Sequence, residues 1–255
     1  MLNEHTLFGM TDKTAIAIQR LKDFEPPEGY YVAFSGGKES VVILDLVKKS
    51  KVRYDAHYNI TGIDPPELYY FIRDNFPEVQ RHRPEKTIWR LIVERRMPPT
   101  RKVRYCCQEL KERGGAGRRV VTGIRWAEST RRGKRTMVEA CFKDKSKIYV
   151  HPIIDWSETD VWDYIRMNKL PYCHLYDEGF KRLGCIMCPM NGNRATEVNR
   201  WPRYYQKYLM AFDACLAKRR VDGLKTTWET GHEMMEWWLK NADHRIDPDQ
   251  TVMFE

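Results

Sequence analysis

The stretch Tyr31-Val-Ala-Phe-Ser-Gly-Gly-Lys-Glu-Ser40 constrains this chain more than any other. A short apolar run, Tyr30 to Phe34, reads as a buried strand. It breaks at Ser35-Gly36-Gly37, and Glu39 to Lys49 then carries a helical pattern with Val41, Val42, Leu44, Leu46 and Val47. Two residues without Cβ let backbone N–H groups converge on one point, and a helix start adds partial positive charge, so the turn suits an anion such as pyrophosphate. Lys38 adds a full charge, and Ser35 and Ser40 add hydroxyls. The spacing is not G-x-x-x-x-G-K-[ST], because here the glycines adjoin each other and the lysine.

Around that loop the pattern alternates strand and helix. Arg53 to Ile60 reads as a second strand, and Thr61-Gly-Ile-Asp64-Pro-Pro-Glu67 turns into a helix through Phe76. Arg118 to Ile124 and Lys147 to Val150 read as further strands. The βαβα order implies a parallel, doubly wound sheet with right-handed crossovers, hence an α/β fold. Before the loop, Thr11 to Asp23 forms an amphipathic helix with Ala15, Ile16, Ile18 and Leu21 as its apolar positions. After the sheet, Ser157 is a good N-cap with Asp160 three residues on, so a helix is expected from Glu158 to Asn168, with Trp156, Val161 and Trp162 in the core. Arg200 to Arg219 and Gly231 to Asn241 read as helices, in which the adjacent Trp237 and Trp238 cannot share one stripe. The expected organisation is an N-terminal helix (1–25), a nucleotide-binding domain (26–195) and a helical C-terminal region (196–255).

Forty-four Lys plus Arg against thirty-five Asp plus Glu leave a formal charge of +9, a balance that favours polyanionic partners. Residues 81–104 concentrate it, with Arg81, Arg83, Lys86, Arg90, Arg95, Arg96, Arg101, Lys102 and Arg104 beside Trp89 and Tyr105. That run is read either as a phosphate-contacting surface or as a solvated helix face. No apolar run reaches the ~20 residues of a membrane span, and the N-terminus lacks a charged-then-apolar signal, so no membrane role and a cytoplasmic location are expected.

Seven cysteines, an odd number, argue for metal or redox chemistry before a disulfide framework. Cys106 and Cys107 are adjacent; 77 residues separate them from Cys185-Ile-Met-Cys188. Four thiolates in two close pairs can complete a metal set. Zinc accepts four thiolates, but adjacent cysteines are awkward in a tetrahedral knuckle. An iron–sulfur cluster tolerates such spacing, because each thiolate binds a different iron. Cys141, Cys173 and Cys215 read as small buried hydrophobes.

Ser35-Gly-Gly-Lys-Glu-Ser40 resembles the pyrophosphate loop of the adenine nucleotide alpha-hydrolase-like superfamily (the PP-loop, or HUP, fold group), with Glu39 where Asp is commoner. Thr61-Gly-Ile-Asp-Pro-Pro-Glu-Leu68, Gly123-Ile-Arg125-Trp-Ala-Glu128-Ser129-Thr-Arg131 and Pro152-Ile-Ile-Asp-Trp-Ser-Glu-Thr-Asp-Val-Trp162 are similar to signatures of the phosphoadenosine phosphosulfate reductase family. Cys-Cys followed by Cys-x-x-Cys resembles the 4Fe-4S pattern of assimilatory adenylylsulfate reductases. The resemblance spans residues 28–192 and implies a Rossmann-like nucleotide-binding domain. It implies a nucleotide site at Ser35, Gly36, Gly37, Lys38, Glu39, Ser40, Asp64, Gly123, Arg125, Glu128 and Ser129, with Lys38, Arg125 and Arg131 carrying the chemistry. It further implies a 4Fe-4S cluster on Cys106, Cys107, Cys185 and Cys188, with Zn2+ as the alternative.

The family's reductases use a nucleophilic cysteine in a C-terminal Glu-Cys-Gly-[Ile/Leu]-His segment. No cysteine follows Cys215 here, so the standard reductase mechanism is expected to lack its reagent. The expected function is therefore an ATP pyrophosphatase that uses ATP with Mg2+ to adenylate a substrate and then transfers sulfur. Its partners would be an adenine nucleotide, a nucleic-acid acceptor (tRNA or DNA) and a sulfur-donor or electron-donor protein, with a homo-oligomer left open. The alternatives are a reductase of adenylylsulfate or its 3′-phosphorylated form (PAPS), and a non-catalytic iron–sulfur regulator that binds nucleotide and nucleic acid.

Overall fold

The computed structural model describes residues 2–6, 9–191 and 194–243. Strands β1 (Asn3–Thr6) and β2 (Gly9–Asp12) form an antiparallel hairpin ahead of helix α1 (Lys13–Asp23). There follow β3 (Tyr30–Ala33), α2 (Lys38–Ser50), β4 (Tyr54–Asn59), α3 (Pro66–Asn75) and β5 (Gln80–His82). Next come α4 (Ile88–Arg95), α5 (Tyr105–Leu110), β6 (Arg119–Val121), β7 (Val138–Ala140), β8 (Ile148–Val150) and α6 (Glu158–Met167). Helices α7 (Arg194–Arg200), α8 (Pro202–Val221) and α9 (Gly231–Asp243) complete the described chain.

The chain divides into two compact units. The first comprises residues 1–60, 65–83 and 113–184; the second comprises 61–64, 84–112 and 185–255. Residues 84–112, from inside the segment expected as one nucleotide domain, thus pack with the C-terminal helices.

The first unit is built on a six-stranded sheet of order β5-β4-β3-β6-β8-β7, parallel except for β7, which runs antiparallel on the edge. Tyr30 and Val32 of β3 are fully buried and Tyr31 nearly so, as a central parallel strand covered on both faces requires. From β3 the chain crosses to β4 on one side through α2, and β6 lies on the other side. The sheet's direction of winding therefore reverses between β3 and β6, and ligands of open α/β sheets bind beyond the carboxyl ends of strands at such a point. Val41, Val42, Ile43, Leu44, Leu46 and Val47 are all buried, so α2 is apolar nearly all round and lies deep in the unit.

Helix α6 starts at the expected capping box: Ser157 Oγ accepts from Asp160 N (3.1 Å) and Asp160 Oδ2 accepts from Ser157 N (2.8 Å). Lys13 pairs with Asp160 at 2.9 Å, and Arg20 grips Asp155 through two bonds of 2.8 and 2.9 Å, tying α1 to the start of α6. Helix α1 buries Ala17 and Leu21, while Ala15 is exposed and Ile16 and Ile18 are half-buried; its inward face is rotated from the expected one.

The second unit is helical. Trp238 of α9 packs on Tyr208 and Phe212 of α8, with centroids 5.0 and 5.4 Å away, and donates from Nε1 to Pro99 O (2.6 Å). Trp237 is half-buried and meets Trp228 at 4.7 Å, so the two tryptophans do part ways. Arg194, almost fully buried, donates to Trp238 O and Leu239 O at 3.1 and 2.7 Å and satisfies carbonyls of α9. Much of the basic run at 81–104 is ion-paired: Lys86 and Arg90 with Glu94, Arg95 with Glu109, Arg96 with Asp222. Cys173 and Cys215 are buried, as small hydrophobes would be, while Cys141 is half-exposed. Among the described residues no helix is long and apolar enough to cross a membrane. The part of the expected helical C-terminal region at 244–255 lies outside the described residues.

Candidate functional site

Within the first unit, the loop after β3 and the segment after β6 come together. Gly36 has φ +71°, and a Cβ there would lie 2.6 Å from Ile72 Cγ1, so only glycine makes this turn without strain. Gly37 is the N-cap of α2 and offers no side chain to its amides. Ser40 Oγ donates to Gly37 O (2.8 Å), with Ser35 Oγ 3.4 Å from Ser40 Oγ. Gly123, beyond β6, passes so close to α2 that a Cβ would stand 2.6 Å from the Cβ of Glu39.

The charged groups form a closed square. Lys38 Nζ lies 3.3 Å from Glu39 Oε1 and 3.2 Å from Glu158 Oε1. Arg125 Nη2 lies 2.7 Å from Glu39 Oε1 and 2.7 Å from Glu158 Oε2. Each carboxylate bridges both cations. Arg125 also donates to Trp156 O at 3.4 Å, while its Nε is buried without a hydrogen-bond partner. Burial opposes ionisation of Glu158, but Lys38 and Arg125 outweigh it and hold the carboxyl below the usual range. Burial likewise opposes the charge on Arg125, and Glu39 and Glu158 more than restore it.

A second set of contacts covers the loop. The Lys38 amide, at the start of α2, donates to Tyr176 Oη (2.9 Å), and Lys38 Nζ donates to Lys181 O (2.9 Å). The rings of Tyr176 and Trp162 stand 5.0 and 5.9 Å from that ammonium. Burial pushes the Tyr176 phenol above its ordinary range, so its oxygen stays a neutral hydroxyl. Trp162, expected in the core, is instead half-buried against Lys38, because its neighbours in α6 already fill the apolar interior.

The other sequence-derived residues separate from this cluster. Glu128 accepts from the Arg125 amide (3.0 Å) and pairs with Arg132, and Ser129 Oγ accepts from the Arg132 amide (3.2 Å), so both shape the local turn. Arg131 is exposed and belongs to none of these bonds. Asp64 lies in the second unit, where it accepts from Thr61 N at 2.9 Å. Glu158, Tyr176 and Trp162 escaped sequence reasoning as site residues. The only signal for Glu158 was its place in the first turn of a capped helix, where a carboxylate is ordinary.

Within the second unit lie all four paired cysteines. Cys106 and Cys107 are hydrogen-bonded to each other, which raises the first thiol and lowers the second, with Lys111 and Arg104 also favouring the Cys107 thiolate. The fields of Cys185 and Cys188 reach Cys106. Burial pushes Cys185 up to about 11, against the pull of Lys111. Lys111 is hydrogen-bonded to Cys185, and that thiol, with Asp64 and Cys188, raises its ammonium. The Cys185–Cys188 loop is pinned by Ile186 N to Ile63 O (2.7 Å), Cys185 Sγ to Thr61 Oγ1 (3.6 Å) and Met187 N to Glu197 Oε2 (2.7 Å). Met187 sits at φ +57°, the left-handed turn that closes the loop. Among the described residues, no three His, Cys, Asp or Glu side chains converge closely enough to hold one metal ion.

Sheet order, winding reversal and glycine–lysine loop define the class: a mainly parallel α/β domain with its candidate anion loop at the switch point. The sequence pattern of the phosphoadenosine phosphosulfate reductase domain matches residues 29–191, and the chain belongs to that family. An uncharacterised protein of Methanocaldococcus jannaschii is 31% identical over 189 residues, covering 69% of this chain and 46% of the relative. A second one from the same organism is 29% identical over 230 residues, covering 83% and 44%. The chain thus spans less than half the length of these two relatives. The adenosine 5'-phosphosulfate reductase of Oceanobacillus iheyensis is 29% identical over 187 residues, covering 66% of this chain and 75% of that protein. The crystal structure of phosphoadenylyl-sulfate reductase from Candida auris shares the fold at 20% identity, with a TM-score of 0.51, covering 66% of this chain and 87% of that one.

Proposed function

We propose that this chain is a PP-loop enzyme that binds ATP, adenylates an acceptor oxygen with release of pyrophosphate, and takes part in replacing that oxygen by sulfur. The observation that carries the reading is that Lys38 and Arg125 both bind Glu39 beside the N-terminus of α2, at the carboxyl ends of β3 and β6. Attack by the acceptor oxygen on the α-phosphorus forms one P–O bond and breaks the bond to the β-phosphate. Lys38 and Arg125 stabilise the charge that gathers on the departing pyrophosphate. The loop amides and Ser40 orient the phosphates. Magnesium, when bound with ATP, would supply further positive charge to the phosphates. A sulfide-level donor then displaces AMP, with no net oxidation.

Cys106, Cys107, Cys185 and Cys188 are the residues that would hold a metal centre. That all four belong to one unit supports a shared centre on them; a four-iron cluster would take one thiolate per iron, and a single zinc ion would take all four. Such a cluster, when bound, supplies iron sites for sulfur or electrons.

The second reading, reduction of adenylylsulfate, is favoured by the named reductases among the relatives. It needs a nucleophilic thiol besides the four paired ones; Cys173 and Cys215 are buried, which leaves the half-exposed Cys141 as the candidate among the described residues. One assay separates the two. The purified chain is given ATP, magnesium, a sulfur donor and candidate tRNA or DNA, and in parallel adenylylsulfate with a thiol reductant. AMP and pyrophosphate from ATP support the first reading; sulfite from adenylylsulfate with no turnover of ATP replaces it by the second.

A further inference from the structure

The square around Lys38 holds two cations and two carboxylates, and the two carboxylates are not equivalent. The cationic side chains are 4% and 2% exposed, Glu39 is 20% exposed, and Glu158 is 55% exposed. Glu39 belongs to α2 itself, with Gly123 packed against its Cβ, and is the less exposed of the two carboxylates. Glu158 reaches in from the first turn of α6, with its other side open to water. A carboxylate at a helix N-terminus is favoured even without a partner, so Glu158 loses little by swinging out. It spans Lys38 Nζ and Arg125 Nη2 with one oxygen each, as two oxygens of a phosphate would.

We propose that Glu158 is an internal anion that occupies the outer position on Lys38 and Arg125 and is displaced there by a polyphosphate, so that it sets which anions the loop accepts. The inference rests on the reading of the loop as a polyphosphate site. With Glu158 in place the four groups carry no net charge, and a weak monoanion gains nothing by entering. A pyrophosphate or triphosphate brings more charge than the carboxylate it replaces. Glu158 thereby makes the site selective for dense polyphosphate, at some loss of affinity. Without it, Lys38 and Arg125 share only Glu39, and one positive charge stays uncompensated until an anion arrives.

The test is calorimetric titration of the full chain with inorganic pyrophosphate, in the absence of divalent metal, for wild type, Glu158→Gln and Glu158→Asp. Glu158→Gln is expected to bind about tenfold more tightly or better, which corresponds to about 1.4 kcal/mol. Glu158→Asp, which keeps the charge, is expected to stay within about threefold of wild type by the same scale. Thermal melts give a second readout that tolerates a less stable variant. Glu158→Gln should melt lower than wild type without ligand and gain more from pyrophosphate. Equal or weaker binding by Glu158→Gln, with an equal or smaller gain in melting temperature, overturns the role of Glu158. If wild type binds pyrophosphate in that case, only this role falls. If neither wild type nor Glu158→Gln binds pyrophosphate or ATP, the polyphosphate reading of the loop falls, and this inference with it.

Discussion

Two glycines decide whether the loop can exist. At Gly36 an added methyl would meet Ile72 and Leu68 within 2.8 Å in a left-handed backbone, and neither neighbour is the free end of a surface side chain. Gly36→Ala is expected to destabilise the protein by about 2–4 kcal/mol, from strain and overpacking together, read as a lowered urea midpoint. Gly123→Ala is a second probe, because its methyl would press on the Cβ and the backbone carbonyl of Glu39. It should weaken pyrophosphate binding by about tenfold or more, the expected result of misplacing one member of a coupled charged group. Unchanged binding would mean that Glu39 does not hold the cations in place. The glycines and Lys38 were legible because their backbone demands are written in consecutive residues. Glu158 and Tyr176 were not, since each meets Lys38 only after the chain has folded across more than a hundred residues.

At the scale of elements, the strands and helices with strong local signals stood out: β3, α2, and α6 with its capping box. Strands β5 and β7 were invisible because they are three residues long on the sheet's edges, and β5 is exposed along its whole length. Helix α5, six residues with no side-chain cap, carries Cys106 and Cys107 on so short a segment that periodicity says nothing. The junction of α1 with α6 gives a pH prediction. Burial works against the charge on Asp160, but Lys13 and the Ser157 cap overcome it and hold its carboxyl down at about 2. A depressed carboxyl stabilises the fold fully above its unfolded value of 3.8, and the contribution fades as pH falls toward 2. Asp160→Asn should therefore cost about 1–2 kcal/mol at neutral pH and show a flatter loss of stability between about pH 4 and 2. Urea unfolding at pH 7, 4 and 2.5 checks this, and parallel pH slopes for the two proteins would remove Asp160 as the acid-sensitive link.

At the scale of the whole molecule, the net charge of +9 does not say which cations are available, and Lys86, Arg95 and Arg96 of the 81–104 run are bound to carboxylates of their own unit. The two cysteine pairs, separated by 77 residues, do belong to one unit, although among the described residues no three metal-ligating side chains converge on one point. What spacing could not convey is their local geometry. Cys106 and Cys107 are hydrogen-bonded to each other, Cys185 is held by Thr61 and Lys111, and Met187, between Cys185 and Cys188, takes a left-handed backbone. Thiols linked in this way release protons when a metal binds, so metal loading should be pH-dependent and should protect them from alkylation. Anaerobic purification followed by iron, sulfide and zinc analysis tests the centre directly, beside a Cys106→Ser, Cys185→Ser double variant. About four iron and about four sulfide per chain, lost in the variant together with protection from alkylation, are expected for a cube with one thiolate on each iron. About one zinc without sulfide would instead make the four cysteines a structural clamp that must contract on its ion, and sulfur transfer would lose its site. In that outcome the second unit would no longer contribute chemistry, and the loop at Ser35 to Ser40 would have to account for activity through nucleotide hydrolysis alone.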